Sequence, residues 1–206
     1  MQPRTRRHLR TRQAILDAAL EIINQDGPDA LSMRSLAERI DYSPAGLYEY
    51  FGGKEEIISA VCEEGQRALY QAMSQVDPTL PSSAYLYEIG QAYIRFALER
   101  PDYFLMMFTL TPPAPTSYMA PESQPEAAQS EPTAYDLLVQ AVQRGLDDGA
   151  FHERPGFGLE EITYAAWALV HGMAMLRVTA LRDFPADLSS SDHEALFNFM
   201  RGLQAA

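Results

Sequence analysis

The sequence predicts an all-α protein of about nine helices, and three features of the 206-residue chain lead to this prediction. No stretch alternates apolar and polar residues between turn signals, as a half-buried strand does. Apolar residues instead recur at helical spacing, as in the stripe Ile15, Ala18, Ala19, Ile22 and Ile23. Glycines and prolines, beginning with Gly27-Pro28, divide the chain into segments of helical length.

Two short helices are predicted between residues 32 and 51. Ser32 stands where its hydroxyl can cap the first of them, and Ser43 stands in the same place before the second. Pro44 then occupies the first helical position, where its missing N–H costs nothing. Because only about three residues separate the two helices, the segment has the pattern of a helix-turn-helix.

Six further helices are predicted after the double glycine at residues 52–53. Their approximate ranges are 54–75, 82–99, 101–110, 134–148, 159–182 and 191–203. Six prolines and few apolar residues between 111 and 133 predict a mobile loop. We therefore expect an N-terminal domain at about 1–56 and a C-terminal helical domain at 57–206.

The net charge of −12 is unevenly distributed along the chain. Residues 1–16 carry five arginines and no acidic residue, whereas residues 61–206 carry eight arginines against nineteen acidic residues. An acidic body behind a basic segment is compatible with nucleic-acid binding, but a solvated basic tail explains the same distribution. Charge alone leaves both interpretations open.

The composition predicts a cytoplasmic protein without a membrane span. Cys62 is the single cysteine, so no disulfide can form within the chain. The arginine-rich N-terminus lacks the apolar segment of a secretory signal. The apolar uncharged run at 162–176 is too short to cross a bilayer.

Residues 12–61 resemble the tetracycline-repressor (TetR) family of transcriptional regulators. The matching residues, in order and spacing, are Ala18, Ala19, Ser32, Met33, Arg34, Leu36, Ala37, Ser43, Pro44, Ala45, Gly46, Tyr48, Tyr50, Phe51, Lys54, Glu55, Glu56 and Ile57. The resemblance implies a regulator, usually a repressor, that binds operator DNA through this helix-turn-helix. One position departs from the family, because the turn residue that is often glycine is Asp41.

The outer surface of the helix-turn-helix is the predicted DNA-binding site. Leu36, Ile40, Leu47 and Phe51 form an apolar set that can bury both short helices. A recognition helix places its N-terminal residues in the major groove. The residues predicted to contact DNA are Arg34, Ser43, Pro44, Ala45, Gly46, Tyr48, Tyr50 and Lys54.

Several of these residues also have a purely structural explanation. Gly46 can reflect close approach to DNA or simple tolerance in a first helical turn. The two tyrosines can contact phosphates or pack in the domain, and packing is favoured more for Tyr48 because it neighbours the core. Lys54 favours a phosphate, because a cation at a helix N-terminus gains nothing from the helix dipole. Arg34, in the first turn of its helix, supports the same argument.

The helix at about 159–182 is apolar on nearly every side, which predicts burial on all sides. Its Trp167, His171 and Gly172 resemble the WHG-type C-terminal regulatory domain found in part of the TetR family. The resemblance implies a homodimer in which the helices at 159–182 and 191–203 form a four-helix interface. A two-fold dimer would also read two half-sites.

A small effector is the second partner that the resemblance implies. The tentative ligand-binding residues are Tyr93, Phe96, Phe104, Met107, Phe108, Tyr164, Trp167, His171 and Met175. An aromatic and methionine cluster is more often plain core than a binding site, although methionine suits adaptable cavities. His171 can point into such a pocket or bond to a backbone carbonyl.

No catalytic, cofactor or metal motif stands out, so we expect neither an enzyme nor a cofactor. The four histidines are scattered without the spacing of a metal pair, and no phosphate-binding loop or nucleophile elbow occurs. The remaining alternative is a helical protein-interaction module without sequence-specific DNA binding. That alternative leaves Arg34, Lys54 and the N-terminal arginines unexplained.

Overall fold

The computed structural model describes residues 3–109 and 131–204. Over these residues the chain forms nine α-helices, one 3₁₀ helix at Pro28–Ala30 and no strand. The helices are α1 (Pro3–Asp26), α2 (Met33–Arg39), α3 (Pro44–Leu47), α4 (Lys54–Ser74), α5 (Ser82–Glu99), α6 (Pro101–Thr109), α7 (Ala134–Asp147), α8 (Leu159–Val178) and α9 (Ser189–Gln204). The all-α prediction is confirmed.

The serines begin the two short helices as predicted. The Ser35 backbone N–H donates to Ser32 Oγ at 3.0 Å, and the Ser32 N–H donates to Ser35 Oγ at the same distance. The Gly46 N–H donates to Ser43 Oγ at 3.0 Å. Each hydroxyl thus satisfies a backbone donor that the helix itself leaves without a partner.

The first helix is longer than its apolar stripe. It begins at Pro3, so the arginines of residues 4–12 lie on helical turns and not on an extended tail. Residues 4–10 are all exposed, and therefore no apolar periodicity marks these turns. Helix α1 ends at Asp26, after which Gly27 adopts a positive φ of 85°.

The chain folds into two compact units. Of the described residues, the first comprises 3–65 and 102–109, and therefore includes most of α6 as well as the helix-turn-helix. A Cβ on Gly65 would lie 2.6 Å from Met107 Sδ, so the absence of a side chain lets α4 and α6 approach closely. The predicted domain boundary near residue 56 is a different division, since the compact unit extends to Gly65.

Of the described residues, the second unit comprises 66–101 and 131–204. Within it α5 contacts α7, α8 and α9, and α8 also contacts both α7 and α9. Arg177 Nη1 lies 2.6 Å from Asp192 Oδ2, and only 19% and 10% of these side chains are exposed. This ion pair joins the end of α8 to the first turn of α9.

The segment predicted as a mobile loop, 111–133, lies outside the described residues except for 131–133, which precede α7 without helical structure. Across the described ranges, no helix combines the length and the apolar character needed to cross a membrane.

Candidate functional site

A buried apolar face holds the helix-turn-helix together. Leu36, Leu47 and Phe51 are at most 2% exposed, whereas Ile40 is half-buried. Helix α2 contacts α1 on one side and α3 on the other. Burial of these side chains fixes which residues of α3 remain outside.

The outer surface of α3 is presented to solvent. Ser43, Pro44 and Ala45 are exposed, Gly46 is half-buried, and Tyr48 is 58% exposed. The turn before α3 places Asp41 in the left-handed region with φ of 53°, which aspartate tolerates better than most residues do. The predicted groove-facing residues therefore share one accessible surface.

A contact within the protein explains why position 46 is a glycine, and sequence reasoning missed it. A Cβ at this position would lie 2.7 Å from Tyr42 Cε1 and 2.9 Å from Ser43 Oγ. The tyrosine ring covers the glycine, so the close approach that requires glycine already exists inside the protein.

The exposure of Tyr48 and Tyr50 is the reverse of what the sequence predicted. Tyr48 is the exposed one, whereas Tyr50 is half-buried and stacks on His8 with ring centroids 4.6 Å apart. The hydroxyls of Tyr42 and Tyr50 lie 3.5 Å apart, and this contact raises the pKa of Tyr42. The expectation that packing applies more to Tyr48 than to Tyr50 is therefore wrong, because the stacking partner comes from a distant turn of α1.

Two cations belong to the helices that precede and follow α3 in the chain. Lys54 is the first residue of α4 and is half-buried, and no carboxylate of the described chain forms an ion pair with it. Arg34 Nε lies 3.2 Å from Glu38 Oε1, with 85% and 69% of the two side chains exposed. An exposed pair of this kind stabilises a helix by only about 0.3–0.5 kcal/mol, so a phosphate can displace the carboxylate.

Carboxylates share this surface with the cations. Asp41 and Glu49 are both exposed. Arg34, Glu38, Asp41 and Pro44 also line one shallow groove. The electrostatic character of the site is therefore mixed, and its positive charge is concentrated on Lys54 and the arginines.

The second unit contains a polar pair beside a tryptophan ring. The Tyr93 hydroxyl lies 2.8 Å from His171 Nδ1, and the Trp167 ring lies 6.0 Å from the His171 ring. Tyr135 packs edge-on against Trp167 with centroids 5.9 Å apart. Burial lowers the pKa of His171, which favours the neutral imidazole. His171 thus bonds to a tyrosine, which neither of the two sequence-based alternatives foresaw.

The remaining tentative ligand residues do not form one cluster with this pair. Phe104, Met107 and Phe108 belong to the first unit. In the second unit, Phe96 lines an open groove of about 450 Å³ beside Leu80 and Arg95. Tyr164 is 58% exposed and Met175 is half-buried.

One side of α8 is exposed in the single chain, contrary to the expectation of burial on all sides. Tyr164, Ala168, Gly172 and Leu176 follow one another at four-residue spacing along this side, and all are exposed. Phe197 of α9 is also 47% exposed. The burial predicted from the sequence would require a partner on this side.

Comparison with known proteins assigns both parts of the chain. Residues 15–61 match the model of bacterial regulatory proteins of the tetR family. Residues 86–201, more than half of the chain, match a tetracyclin repressor-like C-terminal domain. The chain belongs to the TetR family of transcriptional regulators. This regulator therefore carries its DNA-binding function in the helix-turn-helix described above.

Individual relatives are similar in different parts of this TetR-family chain. The uncharacterized regulator YobS of Bacillus subtilis is 28% identical over 94 residues, which is 46% of this chain and 49% of that protein. The regulator BetI of Rhizobium meliloti is 27% identical over 87% of this chain and 83% of its own length. A tetR-family regulatory protein from Rhodococcus RHA1 has the same fold, with a TM-score of 0.67, 20% identity and coverage of 95% and 97% of the two chains.

Proposed function

We propose that this regulator is a repressor that binds a palindromic operator as a homodimer and is released by a small effector. The observation that carries the proposal is the exposed start of α3, held in place by the Ser43 cap and by the buried Leu47. Residues 43–46 enter the major groove, where base edges are read. A dimer bound across a promoter excludes RNA polymerase. A repressor of this kind acts in the cytoplasm and catalyses no reaction.

The backbone contacts come from residues that flank α3. Lys54 binds a phosphate, because a cation at a helix N-terminus that forms no ion pair with a described residue is stabilised beside an anion. Arg34 exchanges Glu38 for a phosphate, and the exposed Tyr48 hydroxyl donates to another. Tyr50 contributes mainly by packing, since its ring is already stacked on His8.

Selection of DNA from a random duplex library by the wild-type protein tests the proposal. We expect a palindromic site whose affinity falls steeply with salt. Lys54→Ala should weaken binding by about tenfold and lower the salt slope by about one unit per subunit. Arg95→Ala, which removes an exposed cation from α5, is the matched control and should bind normally. Recovery of no preferred duplex would instead favour the protein-interaction module.

The effector site is proposed in the second unit, in a WHG-type domain. The Tyr93–His171 pair offers a hydroxyl and an imidazole beside the rings of Tyr135 and Trp167, a combination typical of ligand pockets. Trp167 is the single tryptophan, so its fluorescence reports directly on this position. A metabolite that changes the emission should weaken operator binding, and the operator should weaken that metabolite's binding by the same factor. A screen in which every fluorescence change leaves DNA affinity unaltered contradicts the switch.

A further inference from the structure

The first three turns of α1 form a basic surface beside the helix-turn-helix. Arg4, Arg6, Arg7 and Arg10 are all exposed, and none forms an ion pair with a described carboxylate. Unpaired guanidinium groups on a rigid helix are available to an anionic partner without first breaking an internal contact. This availability distinguishes them from Arg34 and Arg39, which are paired with acidic side chains.

The four arginines lie at different angles around the helix relative to His8. With about 3.6 residues per turn, Arg4 lies about 40° from His8 and Arg7 about 100° from it. Arg6 and Arg10 lie about 160° from His8, on the opposite side. The turns containing Arg4 and His8 continue the face that carries the buried Ile15 further along α1. Arg4 therefore lies on the side that faces the helix-turn-helix, and Arg7 lies at the edge of that side, about 60° from both Arg4 and Arg10.

Aromatic contacts fix this side of α1 to the end of the helix-turn-helix. His8 stacks on Tyr50 at 4.6 Å with an interplanar angle of 22°, and Arg12 lies over the Phe51 ring at 4.8 Å. Tyr50 contacts Tyr42, and the charge of Arg7 acts on that Tyr42 hydroxyl. Arg7, which precedes His8 by one residue in α1, is therefore close to the end of the helix-turn-helix that carries Tyr42 and Tyr50.

We propose that the N-terminal turns of α1 are a second DNA-binding element, in which Arg4 and Arg7 bind backbone phosphates beside the half-site and His8 is a positioning residue. The inference rests on the proposed operator binding and adds residues to it. Polyanionic DNA is the partner that matches exposed guanidinium groups held beside a helix-turn-helix without a carboxylate partner among the described residues. Because the helix is already formed, no backbone ordering is needed when these arginines bind.

Two double variants of equal charge test the proposal. R4A/R7A and R6A/R10A each remove two positive charges from the same three turns, so they change long-range attraction equally. Both are measured against a duplex selected by the wild-type protein, with the salt dependence of the dissociation constant as the readout. We expect R4A/R7A to bind about tenfold or more weakly, with a salt slope lower by about two units per subunit. R6A/R10A should keep the wild-type slope and bind within about threefold of wild type.

The outcomes separate this inference from the operator-binding proposal. Equal slopes for the two double variants overturn the phosphate contacts, while selection of a duplex by the wild-type protein leaves operator binding intact. Failure of the wild-type protein to select any duplex overturns both. Circular dichroism of each variant confirms that the helices remain folded.

His8 is tested by replacing its ring. His8→Ala removes the stack on Tyr50 and should lower the salt slope by one to two units per subunit, although both arginines remain. His8→Phe keeps an aromatic ring there and should restore the wild-type slope. A merely structural role would lower thermal stability without changing the slope, and that result would overturn the positioning role. Loss of the slope in both variants would also overturn it.

Discussion

Asp41 favours the backbone conformation of the turn, while its negative charge disfavours DNA binding. Its φ of 53° lets the chain turn between α2 and α3, and the Tyr42 N–H that follows donates to the Ala37 carbonyl at 2.9 Å. The same residue places a carboxylate on the exposed surface of a DNA-binding unit. Backbone conformation and charge can be separated by substitution, because several residues share the first property without the second.

Substitutions of Asp41 should therefore have distinct effects on stability and binding. Asp41→Ala should destabilise the protein by about 1 kcal/mol, because alanine adopts the left-handed region at a cost. Asp41→Asn keeps the local conformation and removes the charge, so its stability should change little and its DNA affinity should rise severalfold. Thermal denaturation and DNA titration measure the two effects. A D41A protein as stable as wild type would show that the turn imposes no strain.

At the scale of helices, the sequence predicted the features that depend on interactions between residues close together in the chain. Ser32, Ser43 and Pro44 mark helix starts because a cap acts within three residues of itself. The start of α1 at Pro3 was missed because its exposed arginine-rich turns carry no apolar stripe. Pro3, followed by good helix formers, is the signal that could have indicated it.

The candidate site was less predictable than the helices for the same reason. The stack of His8 on Tyr50 joins residues that are 42 positions apart, and the bond between Tyr93 and His171 joins residues 78 positions apart. Helical periodicity places a side chain on a face but does not identify its partner. The tentative ligand residues were grouped by side-chain type, which does not indicate proximity. They therefore fall into both compact units.

The contact between α8 and α9 depends on the Arg177–Asp192 pair. Because both side chains are largely buried, removing Asp192 leaves a cation with little water around it. Asp192→Ala should destabilise the second unit by up to about 3 kcal/mol, as breaking a buried pair does. Glu194→Ala, at an exposed carboxylate of α9, is the control and should cost much less. Urea unfolding of the two variants provides the comparison, and equal midpoints would contradict a special role for the buried pair.

For the whole molecule, the exposed side of α8 is the surface most in need of a partner. Its residues carry no charge, and Ala168 and Gly172 are small enough for another helix to approach closely. Among residues 3–109 and 131–204, no atom lies within 4 Å of the position that a Cβ on Gly172 would take. These features support the proposed dimer through residues 159–182 and 191–203.

A charged residue on this side should separate the dimer without unfolding the subunit. Gly172→Arg should run as a monomer in light scattering coupled to size exclusion, because an arginine buried between two helices lacks an anionic partner. Its operator affinity should fall by at least about tenfold, since each monomer reads one half-site. Gln140→Arg adds the same charge to an exposed position of α7 and should remain dimeric. A dimeric G172R protein would place the interface elsewhere.

The exposed carboxylates Asp41 and Glu49 also bear on how the regulator searches a genome. They repel phosphates at every site, whatever its sequence, and so shorten the time spent on the vast excess of wrong DNA. The operator offsets this repulsion through base contacts that other sites lack. Because occupancy depends on the ratio of specific to non-specific affinity, a less adhesive protein can find its target with fewer copies in the cell.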